Sequence, residues 1–322
     1  MSAPIPETRP DRRIREAEGK LFADAGLHPR EIFLDLPSVD LRLRVLSVGA
    51  GTPLVMLHGV GLSAAVWVPW LGAFSGYRTH LVELPGHGLS DPVTYRVGGV
   101  REHSLHLMDD LFNALGLGRV PVVGHSLGGM FALWYAAGGR DRISSLVAIG
   151  EPAVALPGAR VRMPLSLLTV PGLGRATLRS PTPRPVYRWL LGQGLSPAAA
   201  ADAPEALVDV LRFGARRKGN ARTVATLMHA IDHFRRARGE SVLSEDELRA
   251  ISVPTLFCVG TDDPFLPPAG AEPSIAKIDG AELREVRGGH APWLEDPEGC
   301  AKLVLEHLAQ TGYPSVSDPS LD

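Results

Sequence analysis

A serine flanked by glycines two residues to either side, Gly124-His125-Ser126-Leu127-Gly128, follows the apolar run Val120-Pro121-Val122-Val123 and precedes an apolar stretch of helical spacing. Gly-x-Ser-x-Gly is a common pattern by chance, and it is the strand before and the helix after that give it meaning. A sharp strand-to-helix turn leaves no room for side chains at 124 and 128, thrusts the hydroxyl outward, and aims the Leu127 amide where a tetrahedral oxyanion would form. A serine hydroxyl attacks poorly at neutral pH, so this chemistry needs a base and a carboxylate to orient the base. Both are found downstream. Gly260-Thr261-Asp262-Asp263-Pro264 follows the apolar run ending at Val259, and Gly288-Gly289-His290-Ala291-Pro292-Trp293 follows the last candidate strand. Either aspartate fits the orienting role by spacing. Asp263 is favoured because a residue before proline is pushed toward an extended conformation, whereas Asp262 reads as a turn-former.

The elements that must hold these residues alternate between short apolar runs and helical stretches, the pattern of a mostly parallel sheet wrapped by helices. Candidate strands are Ile32 to Leu36, Leu41 to Val48, Leu54 to Leu57, Thr79 to Leu84, Val120 to Val123, Leu146 to Ile149, Thr255 to Val259 and Glu282 to Val286. The first two, joined by Pro37-Ser38-Val39-Asp40, read as an antiparallel edge hairpin. Ala64 to Phe74, Val100 to Leu115, Leu127 to Ala137 and Glu298 to Ala309 carry apolar residues at helical spacing. After Ile149 the pattern breaks into a proline-rich interval in which Ala206 to Ala215 and Thr223 to Phe234 look helical and Pro181-Thr182-Pro183-Arg184-Pro185 reads as a stiff connector. The expected organisation is therefore an N-terminal, solvated arm (1–29) with room for a short helix around Arg13 to Ala25, a core (30–151 and 236–312), a helical cap insertion (152–235) and a C-terminal tail (313–322).

Composition narrows the class of function. The 33 basic and 35 acidic side chains give a net charge of -2 and no field that would gather nucleic acid or an anionic membrane, so neither is expected as a partner. The first thirty residues hold no apolar stretch long enough for a secretory signal, from which a cytoplasmic protein is expected. Cys258 and Cys300 read as buried free thiols. Nothing in the sequence determines an oligomeric state.

Leu57-His58-Gly59-Val60-Gly61, Leu84-Pro85-Gly86-His87-Gly88-Leu89-Ser90-Asp91, Gly124 to Gly129, Gly260 to Pro267 and Gly289 to Trp293 resemble the motifs of the α/β-hydrolase superfamily, over residues 31–309. The resemblance implies an eight-stranded, mostly parallel sheet with its second strand antiparallel, helices on both faces and a helical cap. It also implies Ser126 as nucleophile, Asp263 as acid and His290 as base, with the Val60 amide joining that of Leu127 as oxyanion donor. His58, His125 and Trp293 stand where they would touch substrate. One departure is Glu83, where many members have Asp, and its expected effect is structural. Members that are haloalkane dehalogenases or epoxide hydrolases carry an elbow aspartate, so Ser126 points to acyl transfer on small, largely apolar esters or lactones. Two alternatives remain at this point: carbon-carbon bond hydrolysis of dienoic diketones, and a non-catalytic small-molecule receptor on the same fold.

Other signals are weaker. Gly59-Val60-Gly61-Leu62-Ser63-Ala64, with Glu83 ending the next strand, also matches a dinucleotide fingerprint, but that reading leaves Ser126, Asp263 and His290 unexplained. His229 and His233 lie one helical turn apart without the glutamate of a zincin, and Arg216-Arg217-Lys218 and Arg235-Arg236 read as solvated helix faces. No cofactor and no metal is expected.

Overall fold

Strands covered on both faces need no apolar-polar alternation, and the middle of this protein shows why. Leu54, Val55, Met56 and Leu57 are all fully buried, with Leu54 and Met56 in one apolar layer and Val55 and Leu57 in the other. The computed structural model describes residues 8–315. Within it one sheet runs through β1 (Arg30–Leu36), β2 (Leu41–Val48), β3 (Thr52–Leu57), β4 (Tyr77–Val82), β5 (Val120–His125), β6 (Ile143–Ile149), β7 (Thr255–Gly260) and β8 (Glu282–Val286). Their spatial order is β1-β2-β4-β3-β5-β6-β7-β8. Strand β2 is antiparallel to β1 and β4, and the remaining pairs are parallel. The carboxyl ends of β5 to β8 therefore share one edge, where open α/β sheets bind ligands.

Helices α1 (Arg9–Asp24), α2 (Val100–Ala114) and α3 (Leu127–Ala137) precede the long interval between β6 and β7. That interval adds no strand to the sheet. It carries α4 (Leu173–Arg179), α5 (Arg184–Gly194), α6 (Pro197–Asp202), α7 (Glu205–Ala215), α8 (Asn220–Ile231) and α9 (Glu245–Ala250); α10 (Pro268–Ile275) and α11 (Pro297–Gln310) complete the chain. None of these helices is long and apolar enough to cross a membrane.

Three expectations are corrected. Residues 1–7 of the stretch read as a solvated arm lie outside the described residues, and the rest is a helix docked on the core: Ile14, Leu21 and Phe22 of α1 are buried, and Glu18 makes a two-pronged ion pair with Arg44 of β2 at 2.7 and 3.0 Å. Ala64 to Phe74 forms 3-10 turns instead of an α-helix; within it the ring of Pro69 would crowd the carbonyl four residues back in α-helical geometry. The connector read at 181–185 is shorter than expected: residues 181–183 join α4 to α5, while Arg184 and Pro185 already belong to α5, whose first-turn N–H groups have no helical partner and so tolerate Pro185.

Glu83 explains its own departure from the family pattern. Its carboxylate accepts the Leu89 amide at 2.7 Å and faces Arg44 at 3.3 Å, so the longer acid ties the loop after β4 to the neighbouring strand. Cys258 and Cys300 are buried and free.

Candidate active site

Ser126 sits between β5 and α3 with φ 49° and ψ -110°, a left-handed conformation that non-glycine residues adopt only where their surroundings impose it. Close packing imposes it here. A side-chain carbon at Gly128 would lie 2.3 Å from the Leu57 carbonyl oxygen, so only glycine lets α3 rise this near to β3. The Leu127 amide is the first of the helix and Val60 lies outside any regular element; among the described residues neither amide donates a hydrogen bond, which leaves both available to an oxyanion.

His290 Nδ1 lies 2.8 Å from Asp263 Oδ2. With its proton committed there, the other ring nitrogen is the basic one. Asp263 also accepts the Glu151 amide on Oδ2 at 2.8 Å and the Phe265 amide on Oδ1 at 3.0 Å. Burial by itself would raise this carboxyl, but the facing imidazole and the hydrogen bonds outweigh it and hold it below the usual aspartate value. Asp262 points the other way: it is exposed and meets only Thr261 at 3.2 Å through its side chain. The choice between the two aspartates is thus made by which one turns beneath the histidine.

Ser126 and His290 line a single cavity of about 250 Å³, together with Val60, His125, Leu195 and Phe265. The expected chain of hydroxyl, imidazole and carboxylate is present in its second link. Among the described residues the Ser126 hydroxyl makes no hydrogen bond, and such contacts often tighten only when substrate binds. The histidine is anchored from the segment between α5 and α6, where the Leu195 carbonyl accepts the His290 amide at 2.8 Å.

Gly150 shapes the same corner. Its φ is +66°, and a side-chain carbon there would meet the His290 carbonyl at 2.3 Å and its ring at 3.0 Å. Gly150→Ala is expected to lower kcat by at least about tenfold, by displacing the imidazole, and to cost about 1–3 kcal/mol of stability. Steady-state kinetics and urea unfolding check this, and an unchanged kcat would show that the ring does not depend on the close approach.

Three other residues singled out from the sequence occupy different places. The Leu84 amide donates to His58 Nε2 at 3.1 Å, so the His58 proton sits on Nδ1, facing the Gly59 carbonyl at 2.8 Å. Both nitrogens are used, and His58 holds the loop after β3 without lining the cavity. Trp293 likewise lies behind the site, stacked on Trp67 at 4.7 Å, with its N–H on the Val66 carbonyl. His125 does line the cavity, and its Nε2–H donates to the His290 carbonyl at 3.0 Å. His87, not among the site candidates, accepts the Gly61 amide at 3.0 Å and steadies the loop that carries Val60.

These imidazoles are kept neutral. Burial lowers His58 and His125 well below the ordinary value of 6.5, and lowers His80, His87 and His103 to about 4. The unfolded chain takes up these protons near 6.5 and the folded chain does not. Their contribution to stability is therefore complete above 6.5 and is lost as pH falls toward 4, at about 1.4 kcal/mol per pH unit for each proton. The urea midpoint is expected to drop steeply between pH 7 and pH 5; a flat profile would mean that these rings are protonated in the fold.

Sequence reasoning missed Glu151. Its carboxyl is fully buried with both oxygens unpartnered among the described residues, and burial, then the charge of Asp263, push it well above the usual glutamate value. Its place directly after β6, at the ligand-binding edge, was the available signal.

A serine on a strained turn after β5, an aspartate after β7 and a histidine after β8 are parts of a known architecture. The alpha/beta hydrolase fold family matches residues 52–297, and the chain belongs to it. It is a hydrolase. The chain is 26% identical to a 2-hydroxy-6-oxononadienedioate/2-hydroxy-6-oxononatrienedioate hydrolase of Cupriavidus pinatubonensis, over 84% of this chain and 91% of the relative. It is 31% identical to a pimeloyl-[acyl-carrier protein] methyl ester esterase of Edwardsiella ictaluri, over 79% and 93%. Among solved structures, a carboxylesterase from Bacillus subtilis shares the fold with a TM-score of 0.76 at 21% identity, covering 94% of this chain and 99% of that one.

Proposed function

We propose that this hydrolase cleaves carboxylic esters or lactones of small, largely apolar molecules through an acyl-enzyme on Ser126. His290 takes the serine proton as the hydroxyl attacks the carbonyl and returns it to the leaving alcohol; water, activated by the same imidazole, then releases the acid. Asp263 keeps the imidazole in the productive tautomer and stabilises its charged form. The amides of Val60 and Leu127 hold the oxyanion, and the helices between β6 and β7 act as a cap over the acyl group.

One observation carries this reading: among the described residues, the cavity that holds Ser126 and His290 has no Lys, Arg, Asp or Glu in its lining. The Cupriavidus relative is named for dioates, which carry a carboxylate at each end. Such a substrate would bring at least one of them into a lining without a cation, at a cost of several kcal/mol for an unpaired buried charge. The carbon-carbon reading is therefore the weaker of the two.

A panel of p-nitrophenyl esters from acetate to octanoate, aliphatic lactones and a dienoic diketone tests it. The expected result is turnover of neutral esters or lactones, with kcat/KM rising with apolar chain length until the cavity is filled. Faster cleavage of the diketone than of any ester would overturn the proposal.

A further inference from the structure

The chain is nearly neutral overall, but its charge is unevenly placed: residues 152–235 contain 12 of the 33 basic side chains and only 4 of the 35 acidic ones. Several of these cations have structural work. Arg184 and Arg212 pair with Asp209, Arg217 pairs with Asp11, and Arg188 caps the carbonyls of Ala200, Ala201 and Ala203. Three others behave differently. The side chains of Arg160, Arg162 and Arg235 make no ion pair or hydrogen bond among the described residues; all three residues are exposed and line one depression of about 380 Å³ that has no acidic residue in its lining.

That depression adjoins the catalytic cavity. Phe265 lines both hollows, and its ring lies 4.5 Å from the His290 imidazole. Between Arg160 and Arg162, Val161 faces the cavity, and the Arg160 amide is bonded to the Phe265 carbonyl at 3.3 Å. The backbone that carries Arg235 is fixed: it and Phe234 adopt φ of 69° and 45°, maintained by the Asp232 carboxylate on the Arg235 amide and the Thr169 hydroxyl on the Phe234 amide.

We propose that Arg160, Arg162 and Arg235 form an anion subsite beside the catalytic cavity, which takes the carboxylate or phosphate terminus of a substrate whose neutral ester end reaches Ser126. The inference rests on the ester-hydrolase reading and deepens it. A charged terminus is unwelcome inside the cation-free cavity, whereas the planar guanidinium forks outside match a carboxylate or phosphate. Because the subsite is open to water, each pair contributes modestly and is screened by salt.

The test compares p-nitrophenyl hexanoate with the p-nitrophenyl hemiester of suberic acid, in the wild type, in each single Arg→Gln variant and in R160Q/R162Q/R235Q. The expected result is a KM for the hemiester raised about tenfold in the triple variant, a difference that shrinks in about 0.5 M salt. Retained KM for the neutral ester, within about twofold, shows that the variants fold and that the ester reading stands. An equal shift for both esters, or none for the hemiester, overturns the subsite. Titration calorimetry reads it without turnover. Binding of octanoate alone assigns the terminus to a carboxylate, binding of hexyl phosphate alone assigns it to a phosphate, and binding of neither, or of either equally well by the triple variant, overturns the subsite. If the wild type hydrolyses neither ester, the functional reading fails, and the calorimetric outcome still decides the anion subsite.

Discussion

Ser126→Ala is expected to lower kcat for p-nitrophenyl esters by a factor on the order of 10⁵, while stability stays within about 0.5 kcal/mol of the wild type. The kinetic loss follows from removing the oxygen proposed to form the acyl bond. The small effect on stability follows from the serine's surroundings. Its hydroxyl makes no hydrogen bond among the described residues, so alanine leaves no donor or acceptor stranded, and the left-handed turn is imposed by neighbours that do not change. Burst release of p-nitrophenol and labelling by a fluorophosphonate probe should vanish together. Labelling of a different serine in the variant would refute the assignment.

The second large effect is a contrast between adjacent residues. Asp263→Asn should reduce kcat by about 10³–10⁴, because an amide facing His290 no longer favours the proton on Nδ1 and no longer balances the charged ring. It should also cost about 1–3 kcal/mol, since the carboxylate accepts from the amides of both Glu151 and Phe265 as well as from the histidine. Asp262→Asn should change kcat by less than about twofold, as that side chain is exposed and meets only Thr261. Equal losses in the two variants would show that the carboxylates share the work, contrary to the geometry.

Much of the site was readable because its demands on the backbone are local. A tight turn requires glycine near Ser126, and a carboxylate or imidazole serving the site must follow directly after a strand. Each demand leaves its mark within a few residues. The central strands were legible for a similar reason: burial on both faces writes a continuous apolar run, as in Leu54 to Leu57 and Thr255 to Val259. The interval between β6 and β7 was less legible. Helices such as Arg184–Gly194 and Pro197–Asp202 are short and begin with prolines that also mark turns.

The amino-acid sequence determined by itself the family, the sheet and the three side chains offered for chemistry, since each depends on residue type and short spacing. Tertiary structure alone decided which aspartate lies under the imidazole, that His58 and Trp293 brace the site from behind, that Glu151 is buried against Asp263, and that three arginines gather beside Phe265. Those outcomes depend on which segments distant in the chain come to lie against one another and exclude water, and no local pattern of residues records that.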